Sequence, residues 1–276
     1  MPANSGTPFR FGVVTDIHYT PEEQAGSTAA GLERCASRWL DDGVAFVVQL
    51  GDLIAREGAE AEPDLLAVKA MLERFPGRIE HVPGNHCLAV PPGRFFSLMG
   101  IAPWRSFASH GIRFVVLHGM EVSVLSEPET EADRNLLHYY REVRGEPFYC
   151  GAVGSRQLAW LIDELDAALR IAEPVVVLSH LPLLEETTDA KHGLLWNHAE
   201  VTELLCRYPN VRACLSGHFH PGGYGYRDGT HFIVLPAFAG GCEPPSSCCG
   251  TIEIGSGRLR ILACDGALLH NLDFAD

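Results

Sequence analysis

The stretch GHFH, residues 217–220, sets two imidazoles one residue apart directly after the apolar run VRACL. Four other places in the chain repeat the pattern. FRFGVV is followed by Thr15-Asp16-Ile17-His18, VAFVVQL by Gly51-Asp52, RIEHV by Pro83-Gly84-Asn85-His86, and PVVVL by Ser179-His180. Five strand-like ends thus deliver two carboxylates, one carboxamide and five imidazoles. Imidazole nitrogen favours transition metals, while carboxylate and carboxamide oxygens accept harder ions. The mixture suits borderline dications such as Mn²⁺, Fe²⁺, Co²⁺ and Zn²⁺. Asp16 and His18, at i and i+2, can point to the same side and reach one ion. His218 and His220 can do the same, or diverge to serve two.

The elements that must position these groups can be read from periodicity. The runs FRFGVV, VAFVVQL, RIEHV, IRFVVLH, PVVVL, VRACL and HFIVL have strand length and β-branched or aromatic content. Helical spacing of apolar residues falls at 27–40, 63–75, 155–169 and 197–208, with Ser155 and Asn197 placed to cap the last two. The alternation predicts α/β layers. Towards the end, GYGYRDGTHFIVLP predicts a hairpin turning at Asp228-Gly229, and TIEIGSGRLRILAC predicts a second one, so the sheet is mixed. In α/β sheets, ligands gather beyond the carboxyl ends of the strands, where all five motifs fall. Residues 119–150 fit neither period. This charged, aromatic stretch carries His138, Tyr139, Tyr140, Arg141 and Arg144, then Phe148 and Tyr149, and it reads as an insertion.

The chain has 276 residues, 46% of them apolar, enough for one large domain or two small ones. A net charge of −14 argues against nucleic-acid duplexes and membrane surfaces as partners. It would also repel phosphate substrates unless something locally reverses the sign. The first residues hold no long apolar leader, and no run of about 18 apolar residues occurs. Nine scattered cysteines, with Cys242, Cys248 and Cys249 clustered but not as CxxC, read as reduced thiols in a cytoplasmic protein.

Taken in order, Asp16-x-His18, Gly51-Asp52, Gly84-Asn85-His86, His180 and Gly217-His218-x-His220 resemble the motif set of the calcineurin-like metallophosphoesterase superfamily. The resemblance covers residues 16–220 and implies a four-layer α/β/β/α sandwich with two mixed β-sheets. It implies a single domain over residues 1–276, with 119–150 as a cap. It also implies two divalent metal ions. Asp16, His18, Asp52 and His220 would hold the first, and Asp52, Asn85, His180 and His218 the second, with Asp52 bridging. His86 would face the substrate. A narrower likeness, in YCGAVGSRQLAWLIDEL and in LLWNHAEVTELLCRYPNVRACLSGHFHPGGYGYRDGTHFIVLP, is to the manganese-dependent ADP-ribose/CDP-alcohol diphosphatase branch. That branch shares a Trp-Asn start to the helix before the GHxH strand and a Gly-Gly-Tyr after it. FVVLHGMEVSVLS is similar to a branch segment with Asp where this chain has His118. Further departures are His18, where the branch often has Gln, Cys87 after Asn-His, and Ala55 after the Gly-Asp pair.

Two dications about 3.5–4 Å apart clamp a phosphoryl oxygen and lower the pKa of a bound water, so that hydroxide attacks phosphorus in line. Two carboxylates offset only part of that positive charge, which resolves the conflict with an acidic chain. The expected activity is hydrolysis of a phosphodiester or diphosphate bond in a small, nucleotide-linked or other organic phosphate. Mn²⁺ leads, with Fe, Zn, Co or Ni as alternatives. Asp52 and His86 are the expected catalytic pair. Asn85, His86, His118, Tyr139, Tyr140 and Arg141 are the expected substrate contacts, although packing of the insertion onto the body is the leading reading for Tyr139 and Tyr140, and a solvated or salt-bridged side chain for Arg141. His81, His110, His192, His198, His231 and His270 read as structural. Cys87 is a poor candidate nucleophile, because the metals already supply one. A cyclic-nucleotide phosphodiesterase and a phosphomonoesterase remain alternatives. A non-catalytic scaffold is disfavoured, because every ligand position is filled.

Overall fold

The computed structural model describes residues 8–21, 25–189, 191–239, 249–255 and 257–274. The strands in chain order are β1 (Phe9–Val14), β2 (Phe46–Gln49), β3 (Arg78–His81), β4 (Arg105–Ser109), β5 (Ile112–Val116), β6 (Val175–Leu178), β7 (Val211–Ser216), β8 (Gly223–Arg227), β9 (Thr230–Val234), β10 (Cys249–Gly255), β11 (Arg258–Ala263) and β12 (Leu268–Asp273). The helices are α1 (Ala25–Asp41), α2 (Ala61–Leu72), α3 (Pro92–Met99), α4 (Glu131–His138), α5 (Ser155–Arg170) and α6 (His198–Cys206).

Two six-stranded sheets form, ordered β12-β11-β10-β1-β2-β3 and β4-β5-β6-β7-β9-β8. Both are mixed. The motif-bearing strands β1, β2 and β3 run parallel to one another, as do β6 and β7, while the hairpins add antiparallel neighbours. Period-two alternation dictates the layering. Phe11, Val13, Phe46 and Val48 of the first sheet meet Phe114, Val116, Val176 and Leu215 of the second in one apolar cluster. Phe46 and Phe114 cross there edge-to-face, with ring centroids 5.3 Å apart. Truncating either ring to alanine would cost about 3–5 kcal/mol. The alternate residues Val14, Val47, Val115 and Val177 point outward into a second cluster shared with helical side chains such as Leu32, Leu65, Leu161 and Leu165. The result is the expected α/β/β/α sandwich.

The hairpin at Asp228-Gly229 forms with both residues at positive φ, 47° and 89°. Two strands and two helices escape the periodicity reading. β4 joins β5 through His110-Gly111, again at positive φ (52° and 74°), a two-residue turn of the kind that matches strand twist. β12 alternates between half-buried and exposed residues at a sheet edge, so its apolar signal is weak. α3 and α4 are each only eight residues long.

The capping expectations need correction. Gly154, not Ser155, stands at the N-cap of α5. Ser155 gives both its backbone N–H and its hydroxyl to Asp133 of the insertion, at 3.0 and 3.1 Å. Asn197 does occupy the N-cap of α6, but its side chain makes no cap hydrogen bond. It accepts from Val153 N–H and donates to Val153 O, each at 3.0 Å, tying α6 to the approach of α5. Among the described residues no helix is long and apolar enough to cross a membrane.

Candidate active site

The loops leaving β1 and β2 continue to pair beyond the sheet. Asp16 N–H donates to Gly51 O and His18 N–H to Asp52 O, both at 3.1 Å. From the second sheet, Gly217 N–H donates to His180 O at 3.0 Å. The two sheet edges meet where Phe238 N–H donates to Thr15 O and Ala239 N–H to Asp16 O, at 2.9 and 2.8 Å. Asp16, His18, Asp52 and His218 all adopt left-handed backbone, with φ of 51°, 46°, 53° and 69°. Non-glycine residues reach that region only at a cost, and such residues concentrate at functional sites. Two motif glycines are explained by close approach. A Cβ on Gly84 would lie 2.3 Å from Asp52 Oδ1, and one on Gly217 would lie 2.1 Å from Thr15 Oγ1.

Each carboxylate is half anchored and half presented. Asp16 Oδ2 accepts from Thr15 Oγ1 at 2.6 Å and from His218 N–H at 2.9 Å. Its Oδ1 is buried without a hydrogen-bond partner. Asp52 Oδ1 accepts from His86 N–H at 2.8 Å, while Oδ2 lies 3.2 Å from His180 Nε2 and 3.8 Å from His18 Nε2. His18 and His220 place their Nε2 atoms 3.6 and 3.7 Å from Asp16 Oδ1 and 3.1 Å from each other. Asn85 Oδ1 sits 3.0 Å from His180 Nε2. Two imidazoles have fixed tautomers. His180 Nδ1–H donates to Leu50 O and His218 Nε2–H donates to His192 O, each at 2.8 Å, which frees His180 Nε2 and His218 Nδ1. Metal-ligating histidines are oriented by this kind of contact.

Three overlapping groups have ligand atoms within 4.8 Å of one another: Asp16, His18 and His220; Asp52, His180 and His218; and His18, Asp52 and His86. The first group holds three of the four residues that the resemblance assigns to one ion, without Asp52; the second, with Asn85 3.0 Å from His180, holds those assigned to the other. An orphaned buried carboxylate oxygen converging with imidazole nitrogens is a donor set that fits divalent metal.

Electrostatics agree. Burial raises both carboxyls, yet His18 holds Asp16, and His180 holds Asp52, below the ordinary carboxylate range. Burial pushes His18 and His180 down, but Asp16 beside the first and Asp52 beside the second outweigh it, taking His180 up to about 9. Burial, reinforced by the charge of His180, pushes His218 down to about 4. Imidazoles that hold protons beside ionised carboxylates must give those protons up to a metal, so loading an ion would release protons.

His18, Asp52, Asn85, His218 and His220 floor a cavity of about 660 Å³. Its walls include His86, Leu125, Phe148, Tyr149, Lys191 and His192. Several expected substrate contacts lie elsewhere. His118 ends β5 on the same edge, but it is buried, packs against Phe96 at 5.3 Å and lines a separate cleft with Glu121 and Trp104. Tyr140 stacks on Trp196 at 5.6 Å, Tyr139 packs edge-on to Tyr140, and Arg141 donates to Glu146 O. None of these four borders the cavity. The insertion turns its helical face to the protein body and reaches the cavity through Leu125, Phe148 and Tyr149.

His192 departs from its structural reading: it forms cavity wall and orients His218 through its carbonyl. It follows no strand, so no sequence signal marks it. His110, stacked on Phe9 at 4.4 Å, and His231, donating to Asp273 O at 2.9 Å, are structural as read. Burial pushes the Cys87 thiol up to about 12, and its sulfur accepts from Leu53 N–H, which leaves it no nucleophilic role. The reduced-thiol reading fails for Cys35, Cys249 and Cys264, whose sulfurs lie together. Cys242 and Cys248 lie outside the described residues.

This fold and this convergence of donors define a metal-dependent phosphoesterase. A family model described as calcineurin-like phosphoesterase matches residues 9–222, and the chain belongs to that family. It is similar to the manganese-dependent ADP-ribose/CDP-alcohol diphosphatases of Oryza sativa subsp. japonica (30% identical, over 93% of this chain and 91% of that one) and Arabidopsis thaliana (29%, over 93% and 94%). In fold it matches a dimetal phosphatase from Danio rerio with a TM-score of 0.83 at 23% identity, covering 98% of this chain and 100% of that one. Two divalent metal ions are its cofactors.

Proposed function

We propose that the protein hydrolyses the diphosphate bond of a nucleotide-linked small molecule, in the manner named for its ADP-ribose/CDP-alcohol diphosphatase relatives, with manganese as the working ion. The observation that carries this reading is the cavity. His18, Asp52, Asn85, His218 and His220, from both ligand groups, line it, and at about 660 Å³ it has far more room than one phosphate needs.

When bound, the ions supply Lewis-acid stabilisation of phosphoryl charge and an activated water. The chain's own groups do the rest. Asp16 Oδ1 and Asp52 Oδ2 face inward because their sister oxygens are held by Thr15, His218 and His86. The Nδ1–H bond to Leu50 O keeps the His180 Nε2 lone pair aimed at the site. His86 lines the cavity beside His18, their rings edge-to-face at 4.8 Å, where an imidazole can serve the leaving oxygen as general acid. Phe148 and Tyr149 offer aromatic faces for a base, Lys191 offers an ammonium for the second phosphate, and the insertion at 119–150 acts as the cap.

The test is a panel of ADP-ribose, CDP-choline, cyclic AMP and p-nitrophenyl phosphate turned over with Mn²⁺. The expected result is preference for the two diphosphates, each split into two monophosphates. Preference for cyclic AMP or for the monoester would overturn the substrate assignment.

A further inference from the structure

Behind the first sheet, away from the cavity, three cysteines from distant parts of the chain meet. Cys35 lies buried on α1, Cys249 opens β10, and Cys264 follows β11 and is partly exposed. Their three sulfurs all lie within 4.8 Å of one another. Cys249 stands within disulfide reach of both Cys35 and Cys264, at Cα–Cα distances of 6.3 and 5.8 Å. Both distances fall inside the span a disulfide bridges. A sulfur makes only one such bond, so whichever pair is joined, the third thiol already stands beside the central sulfur. Cys35 and Cys264 are 3.9 Å apart, too far to bond each other.

The geometry points to a thiol–disulfide relay in which Cys249 bonds in turn to Cys264 and to Cys35, taking oxidising equivalents from a low-molecular-weight disulfide at the protein surface. Cys264 is the entry point, because the other two sulfurs are buried. Its thiolate attacks the small disulfide, forming a mixed disulfide and releasing one small thiol. The Cys249 thiolate then attacks Cys264 Sγ, forming the Cys249–Cys264 bond and releasing the second small thiol. Finally the Cys35 thiolate attacks Cys249 Sγ, the Cys249–Cys264 bond breaks, and Cys264 leaves as thiolate and takes up the proton Cys35 gave up. In sum, one small disulfide is reduced to two thiols and two protein thiols are oxidised to one disulfide; the last step is an internal exchange.

The two oxidised forms differ in consequence. Cys249–Cys264 closes 15 residues within the β10–β11 hairpin, whereas Cys35–Cys249 spans 214 and fastens α1 to the sheet. Longer closed loops constrain the unfolded chain more, so the Cys35–Cys249 form is the more resistant of the two to unfolding.

The manganese-loaded full-length enzyme, first reduced, is treated with oxidised glutathione, acid-quenched at intervals, alkylated and digested without reduction. Mass spectrometry of linked peptides should show Cys249–Cys264 first and Cys35–Cys249 growing at its expense. Cys87, Cys150, Cys206 and Cys214, the free cysteines among the described residues, should be alkylated throughout. Cys35→Ser should stop at Cys249–Cys264, and Cys264→Ser should slow formation of Cys35–Cys249 by at least about tenfold. The relay is overturned by a single linkage at all times, by bonding of Cys249 to Cys242 or Cys248, or by Cys264→Ser oxidising at the wild-type rate. It is equally overturned if all three thiols are fully alkylated, or hold a metal ion beyond the two of the active site that is released by a thiol reagent. The wild-type time course decides the matter even if a variant does not fold.

Discussion

Asp52 carries two loads at once. One oxygen fixes the turn at His86, and the other stands between the two ligand groups. Asp52→Ala is expected to remove most bound metal and lower turnover of bis(p-nitrophenyl) phosphate by more than about 100-fold, since changes around metal ligands alone cost 10–100-fold. Near-normal turnover would refute the shared role. His86 is the harder case, because its ring nitrogen comes within ligand reach of His18 and Asp52. His86→Ala should retain both ions by metal analysis while kcat drops by about 10²–10⁴; lost metal would make His86 a ligand instead. His118, buried and pushed down to about 3, gives a pH signature. Its folded pKa lies below its unfolded value of 6.5, so the unfolded chain binds the extra proton. The neutral imidazole therefore costs nothing above pH 6.5, and stability falls as pH drops from there towards 3, by roughly 1.4 kcal/mol per unit. In urea titrations across pH 4–7, His118→Leu should flatten that decline by about one proton's worth; an unchanged slope would contradict it.

At the scale of elements, the insertion holds two kinds of aromatic residue. Phe148 and Tyr149 border the cavity, whereas Tyr140 packs on Trp196, next to the Asn197 tie between α5 and α6. Replacing Phe148 and Tyr149 together by alanine should raise KM for a nucleotide-linked diphosphate at least about tenfold, the worth of one or more stacking contacts of about 0.5–1.5 kcal/mol plus the area they bury. The same change should leave KM for p-nitrophenyl phosphate within about twofold. Tyr140→Ala should do the reverse, lowering the melting temperature while leaving KM in place. If Tyr140→Ala raised KM and the double variant did not, the cap would engage substrate through its helix rather than through its C-terminal arm.

For the molecule as a whole, the site is a seam. The first sheet supplies Asp16, His18, Asp52 and Asn85, and the second supplies His180, His218 and His220. Between the sheets lies a dry core of phenylalanine and branched aliphatics that needs no metal. Chelation with EDTA should therefore leave a folded protein that unfolds cooperatively, with a melting temperature lowered by roughly 5–10 °C and restored by Mn²⁺, the shift expected when a ligand at about 100 times its Kd is withdrawn. Loss of cooperative unfolding would show that the ions hold the sheets together. The chain's acidity also becomes intelligible at this scale: phosphate meets a cationic floor, Lys191 and imidazoles in the cavity, whatever the net charge outside.

By itself the sequence determined which polar side chains follow the strand ends that meet at the cavity. Asp, His and Asn at the ends of apolar runs need no partner to be visible, and the glycines of Gly84-Asn85-His86 and Gly217-His218 mark backbone that must pass close to a carboxylate. It also determined the layering, because strands buried on both faces and helices buried on one leave different periods. What only the tertiary structure decided is everything that depends on contact between segments without a period. His192 became cavity wall and His118 did not, although His118 stands at a strand end and His192 in a loop. The insertion offered Phe148 and Tyr149 and withheld Tyr139, Tyr140 and Arg141. Cys35 found Cys249 across 214 residues. Periodicity reports which face of an element is buried; which neighbour buries it is fixed by how the sheets and their loops close on one another, and no single segment encodes that.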